Sequence, residues 1–341
     1  MKLPSERADI GAVAIEDDGM YFSLGQLNEQ GQVDSYSSPY RKSWPKGGYS
    51  ASLITTGLAE FFSAHKRSTI SAVAVSSFGL IKRDEKKLIA VPRAAWPDDT
   101  NEVLEFEPII RNALDRDVHV VVEHDCTASA LGEYRYSGFA ESRPRDNVFV
   151  YVRVGEGIGA DLLWRGKPLR RRSHMEAGHI PVAIDAKDKL TTGTCHVHGK
   201  CLEGLVSAEA ILRRSKGSSL DDVENGVWSL VGNYVGQLCA VLTMTLLPDS
   251  IVIGGDTLRG GEPNPRMFVY DRIHMEFQDR LRGYPHYGKT AQPKEFIVPA
   301  RQKAAYSALS AALDIAADEV RKKGKVVHTG RLYLFPRSQN A

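Results

Sequence analysis

Apolar residues first gather at positions 12–15, break at Glu16-Asp17-Asp18-Gly19, and resume in alternation over 21–27. Alternation at period two marks a half-buried strand, and an acidic break closed by glycine marks a turn. The chain therefore opens as strand, turn, strand, and Asn28-Glu29-Gln30-Gly31 turns it again. Over 50–65 the period changes: Leu53, Ile54, Leu58, Phe61 and Phe62 recur at the spacing of one helix face. Continuous apolar runs at 71–75 and 119–122 read as buried strands, with a helix near 106–114 between them. A strand at 147–154 runs into Gly155-Glu156-Gly157-Ile158-Gly159 and a second strand at 160–164. A long helix over about 222–247 stops at Pro248-Asp249, followed by a buried strand at 250–253 and a Gly254-Gly255 turn. The last helix, 303–320, is rich in alanine. Strands and helices in alternation imply an α/β class. No repeat is visible in the sequence, although two related α/β halves fit the order of elements.

Length turns this pattern into a domain expectation. With 341 residues, the chain suits two domains around a cleft. We expect a small α/β domain from 1–124 completed by the helix at 303–320, a larger one at 125–302, and a basic tail at 321–341. Hydrophobic residues make up 42% and charged residues 25%, ordinary for a globular core. A net charge of +2 and a pI near 8.2 provide no strong field for nucleic acid or membrane. The runs Arg170-Arg171-Arg172 and Arg321-Lys322-Lys323 read as solvated faces. No stretch approaches the ~20 apolar residues of a membrane span. The first ten residues carry no apolar block of signal-peptide type, so a cytoplasmic location is expected.

Cysteine usage adds chemistry. Cys126, Cys195, Cys201 and Cys239 are too few for a disulfide framework, and two of them lie among histidines. Cys195, His198 and Cys201 are spaced C-x2-H-x2-C, and His179 stands upstream with fifteen residues between it and the first. Two thiolates and two imidazoles satisfy tetrahedral zinc with no open position, which is the pattern of a structural site. His196 is an alternative to His198.

These stretches together resemble the ROK family, and within it the fructokinase-like branch. Residues 121–133, VVEHDCTASALGE, are similar to the family's E-N-D-A-N-A-A-A-L-G-E run, and 174–182, HMEAGHIPV, to its G-E-x-G-H-I-P-V segment. The zinc loop through Cys201-Leu202-Glu203-Gly204 resembles C-P-Y-H-G-x-C-L-E-G, and 247–255, LPDSIVIGG, resembles P-E-x-I-x-L-G-G. The resemblance spans about 12–318. It implies a two-domain actin/hexokinase-like, ribonuclease-H-like α/β fold, usually dimeric, closing over a sugar and a nucleotide. Substrate contacts would fall to Asp125, Glu176, His179 and Glu203, with His124 where an asparagine is usual. Asp125 would be the catalytic base, and ATP with Mg2+ the co-substrate. The nucleotide side would be formed by Gly19, Gly155, Gly157, Gly159, Gly254 and Gly255.

Elementary chemistry supports that assignment. Phosphoryl transfer to a hydroxyl needs a carboxylate to accept its proton and further hydrogen-bonding groups to hold the sugar in line. Asp125 follows a buried strand and precedes a helix, where a side chain points into a cleft. Taken alone, the same residue reads as a helix N-cap. His179 could bind zinc through one ring nitrogen and so order the pocket beside Glu176.

The phosphate loops depart from the family. Its G-G-T-K turn is replaced by Asp17 or Asp18, then Gly19, Met20 and Tyr21, and its T-G-x-G by Glu156-Gly157-Ile158-Gly159. Residues 305–308, AYSA, also lack the glycine of the family's late nucleotide segment. A carboxylate about 4 Å from a phosphate charge costs roughly 1 to 4 kcal/mol, depending on screening. Asp18 and Glu156 are thus poor neighbours for ATP unless Mg2+ or a nearby arginine such as Arg153 offsets them. Two readings remain: an ATP-dependent hexose kinase, or a sugar-binding sensor on a kinase scaffold. A ROK repressor would need a helix-turn-helix ahead of the first strand, where only about a dozen residues stand.

Overall fold

The computed structural model describes residues 9–45, 48–66, 69–90, 103–141, 147–169, 174–215, 219–258, 266–285 and 287–328, with side chains of the last helix described as far as 322. The basic run at 170–172 and the tail from 329 lie outside these residues.

The opening alternation folds as a hairpin: β1 (Ile10–Glu16) pairs antiparallel with β2 (Gly19–Leu27), Glu16 facing Gly19. β3 (Val33–Tyr36) and β4 (Tyr40–Ser43) both pair with β2. Helix α1 (Ala51–Ser63) starts at Ser50, whose hydroxyl accepts the Leu53 N–H at 3.2 Å. β5 (Ala72–Ser77) then joins β1 in parallel. β6 (Leu80–Lys82), β7 (Lys87–Ala90) and β8 (Leu104–Glu105) form a separate small antiparallel sheet. After α2 (Phe106–Leu114), β9 (His119–His124) lies parallel to β5, and α3 (Asp125–Tyr136) begins at its end.

The second part has the same plan. β10 (Val148–Val154) and β11 (Ile158–Trp164) form a hairpin, with β12 (Lys167–Pro168) at its edge. Helices α4 (Leu202–Val206), α5 (Ala208–Arg214) and α6 (Asn225–Leu246) lead to β13 (Ser250–Gly254), parallel to β10. α7 (Met267–Leu281) and α8 (Pro293–Phe296) precede β14 (Ile297–Pro299), parallel to β13, and α9 (Ala304–His328) ends the described chain. The strand orders β3-β2-β1-β5-β9 and β12-β11-β10-β13-β14 are the same succession of hairpin and parallel additions. The two related halves are visible in topology, not in sequence.

Side-chain parity sorts the layers. In β1, Val13 and Ile15 pack with α1 and α2, while Ile10, Ala12 and Ala14 face α9 and α3. In β10, Val150, Val152 and Val154 pack with α4, α6 and α7, while Phe149 and Tyr151 face α3. Helices α3 and α9 thus share a core with one face of each sheet. Alanines make that possible: Ala308, Ala311, Ala312 and Ala316 of α9 are buried. A Cβ on Gly132 of α3 would stand 1.9 Å from the Ser307 carbonyl oxygen, so the helix backbones meet there.

Two expectations change. The last helix continues past 320 to His328, because Arg321 is tied in: it pairs with Asp318 and donates to the Gly31 carbonyl at 2.6 Å. Basic residues also suit the negative end of a helix dipole. Helix α6 is long and apolar enough to span a membrane, contrary to the reading that no stretch approaches this, but 78% of its apolar window is buried inside the fold.

Candidate active site

The carboxyl ends of the central strands converge. Ser77 is in register with both Ile15 and His124, and Arg153 with Gly254. Outside such ends an open α/β sheet leaves a crevice, and here it is a cavity of about 560 Å³. Its walls bring together His124, Asp125, Glu176, His179 and Glu203, and it is also lined by Gly157 and Gly159. Gly19, Gly155, Gly254 and Gly255 do not line it. Close backbone approaches occur among them: a Cβ on Gly255, at φ +95°, would lie 2.3 Å from the Val154 carbonyl oxygen.

Asp125 is 5% exposed. Its Oδ1 accepts the Cys126 N–H at 2.6 Å and lies 3.2 Å from His124 Nδ1, while Oδ2 lies 3.4 Å from Arg153 Nη1. The cap position of α3 belongs to His124, whose ring also accepts the Cys126 N–H at 3.4 Å, so Asp125 is the first helical residue rather than the N-cap. Its Oδ1 shares the Cys126 N–H with the cap, and the buried carboxylate lines the cavity.

His174 was not singled out in the sequence. Its ring stacks on that of His124 with centroids 3.9 Å apart, 11° from parallel, and its Nε2 lies 2.9 Å from Glu176 Oε1. That hydrogen bond holds the Glu176 carboxyl below its ordinary range, and burial pushes His124 down towards its neutral form.

Next to this wall the four proposed metal ligands meet. Donor atoms of His179, Cys195, His198 and Cys201 all lie within 4.8 Å of one another. His179 Nδ1 is 3.6 Å from both sulfurs, and Cys195 Sγ is 3.9 Å from His198 Nδ1. A zinc tetrahedron has edges of roughly 3.5 Å, so donor set and spacing both fit. The Gly199 N–H to Cys195 carbonyl bond at 2.9 Å closes the turn between the ligands, and the Leu202 N–H to Ile180 carbonyl bond at 3.0 Å docks it beside His179. The other nitrogen of His179, Nε2, lies 3.8 Å from Glu176 Oε2.

Arg153, named in the sequence as an offset to the acids of the loops, stands at the centre of the site. It has the parity of Phe149 and Tyr151, so it points inward, and it is 4% exposed. Its guanidinium lies 2.6 Å from Glu16 Oε2, 3.3 Å from Asp17 Oδ2 and 3.4 Å from Asp125 Oδ2. One cation thus serves three carboxylates from both halves of the chain. Burial, with Asp125 and Asp17 nearby, pushes the Glu16 carboxyl up to about 8 despite Arg153. The sign for stability follows: between the unfolded value near 4.5 and about 8 the folded protein holds a proton that the unfolded chain has released. Stability contributed by that proton is full below 4.5 and is lost as pH rises towards 8. Glu16→Gln should therefore flatten the fall of stability with pH across this window, by on the order of a few kcal/mol, which a series of Tm measurements against pH reads out. Parallel Tm-against-pH curves for variant and wild type would refute it.

The acidic residues of the loops divide differently from expectation. Asp18 turns away, accepting from Tyr21 Oη at 2.8 Å and pairing with Arg41 at 2.6 Å. The Glu156 side chain is exposed. Asp17 is the one that reaches in, accepting the Glu156 backbone N–H at 3.1 Å. Glu203 accepts the Ile158 N–H at 2.9 Å.

The chain matches the model of the ROK family over residues 35–286, a span that leaves out the Glu16–Gly19 turn. A fructokinase of Pediococcus pentosaceus is 27% identical over 251 residues, covering 72% of this chain and 79% of that protein. A fructokinase of Lactococcus lactis subsp. cremoris is 26% identical over 227 residues, covering 64% and 71%. Among solved structures, a ROK family glucokinase from Streptomyces griseus in complex with glucose and AMPPNP superposes with a TM-score of 0.64 at 20% identity, covering 91% of this chain and 99% of that one. The fold is the two-domain actin/hexokinase-like one that the resemblance implies.

Proposed function

As this chain belongs to the ROK family, we propose that it is an ATP-dependent hexose kinase, with fructose or a related hexose as acceptor and Asp125 as general base. One observation carries the reading: Asp125, Glu176, His179, Glu203 and His124 line a single cavity of about 560 Å³, large enough for a hexose. Asp125 accepts the proton of one sugar hydroxyl as that oxygen forms its bond to the terminal phosphorus of the nucleotide. The bond from phosphorus to the diphosphate breaks, its electron pair leaving with the diphosphate. Glu176, Glu203 and the two stacked imidazoles supply acceptors and donors for the remaining hydroxyls. Zinc, held by His179, Cys195, His198 and Cys201, would fix the rotamer of His179 beside Glu176 without joining the reaction. Mg2+ accompanies ATP.

The same reading divides the chain into a domain of 1–124 closed by the last helix and a domain of 125–302, working in the cytoplasm as a homodimer. The relatives' names stand on the side of transfer. A screen of fructose, glucose and mannose against Mg·ATP, following ADP release, tests it. Turnover with at least one hexose is expected. Stabilisation by sugar with no nucleotide response in any combination would leave only a sugar-binding protein.

A further inference from the structure

The loop at 155–159 follows a strand and presents backbone N–H groups, the usual cradle for a phosphate oxygen. In this chain those donors already hold anions of its own. The Glu156 N–H lies 3.1 Å from Asp17 Oδ2, and the Ile158 N–H lies 2.9 Å from Glu203 Oε2. The Gly155 N–H bonds the Gly157 carbonyl at 2.9 Å. Asp17 is wedged against the loop: its Oδ2 is 2.8 Å from where a Cβ on Gly155 would sit. Its side chain is 7% exposed, and Arg153 Nη2 holds the same oxygen at 3.3 Å. A buried carboxylate from the opposite half of the chain thus accepts a loop N–H of the kind that cradles phosphate oxygens.

We propose that Asp17 is a specificity-determining residue of the phosphoryl-donor site, occupying the Glu156 N–H so that the loop admits a polyphosphate only when a divalent cation offsets the meeting charges. The inference rests on the kinase reading in taking residues 155–159 as the donor loop. A metal-free nucleotide would bring several negative charges against Asp17, whose displacement would also strip Arg153 of a partner. A metal-bound nucleotide brings its own counter-charge and can share Asp17 through the metal, so discrimination between the two forms resides in this one carboxylate. Removing its charge relaxes the discrimination and tightens binding overall.

The test uses the full chain and AMPPNP, which is not hydrolysed, by calorimetry with excess Mg2+ and again with EDTA. Wild type is expected to bind the Mg2+ form at least about tenfold more tightly than the metal-free form. In Asp17→Asn and Asp17→Ala the metal-free form gains about tenfold or more, bringing the two forms within about threefold. Retained sugar-induced stabilisation shows that each variant is folded, and the isosteric Asn variant stands in if the Ala variant is not. An unchanged ratio between the two forms, or no AMPPNP binding by wild type and both variants, overturns the role of Asp17. A wild type that binds neither form while the variants bind supports that role, and removes the kinase reading alone.

Discussion

Asp125→Asn is expected to lower sugar phosphorylation by about 10²- to 10⁴-fold, the range that loss of a positioned general base produces. Sugar affinity should stay within a few-fold of wild type. The amide has the same shape, and its carbonyl oxygen can still accept the Cys126 N–H that Oδ1 takes at 2.6 Å. What disappears is proton acceptance at the moment the sugar oxygen attacks. The check pairs a steady-state assay with calorimetric sugar titration: kcat should collapse while Kd holds. Undiminished turnover would remove Asp125 from the mechanism. A parallel loss of sugar binding would make it a positioning residue only. A side effect should appear as well. The Asp125 charge helps to raise the Glu16 carboxyl, so the pH window over which Tm falls should shift downward in this variant.

Much of this arrangement was legible in the chain because it rests on periodicity and spacing. An apolar run located β1, alternation located β2, and the 3.6-residue period located α1. The C-x2-H-x2-C spacing with His179 identified four donors that do converge. What escaped has physical reasons. β6 to β8 span two to four residues each, too few for a period to show. In α7 the apolar face of Val269, Tyr270, Ile273, Phe277 and Leu281 is buried, but charged neighbours dilute it in the sequence. The inward direction of Arg153 could have been read: Phe149 and Tyr151 share its parity, and a strand face that buries both carries the next odd residue inward as well. Asp17 could not. Whether Asp17 or Asp18 of the turn enters the site depends on where the second half sits, and that is fixed by α3 and α9 packing between the sheets.

The metal site gives the other large effect. Cys195→Ser or Cys201→Ser should reduce zinc from one per chain to none and lower Tm by on the order of 10 °C. The dependence of the fold on the ion should be local rather than global. The ligand loop buries little of its own, and the rest of the second half keeps its core around α6 and α7. Burial and the neighbouring Cys195 sulfur push the metal-free Cys201 thiol up to about 11, so zinc must displace the proton of that thiol at neutral pH. Zinc affinity should therefore fall as pH falls, and a chelator should strip the protein faster at pH 6 than at pH 8. Function should follow through geometry. Cys201 is the residue at which α4 begins, Glu203 is in its first turn, and the free nitrogen of His179 faces Glu176 at 3.8 Å. Metal loss should therefore loosen two walls of the cavity while leaving Asp125 on α3. The sugar KM should rise by more than kcat falls, the reverse of the Asp125→Asn pattern. Elemental analysis of purified wild type reading zero zinc would overturn the assignment, and an unchanged sugar KM in the Ser variants would separate the metal from the pocket.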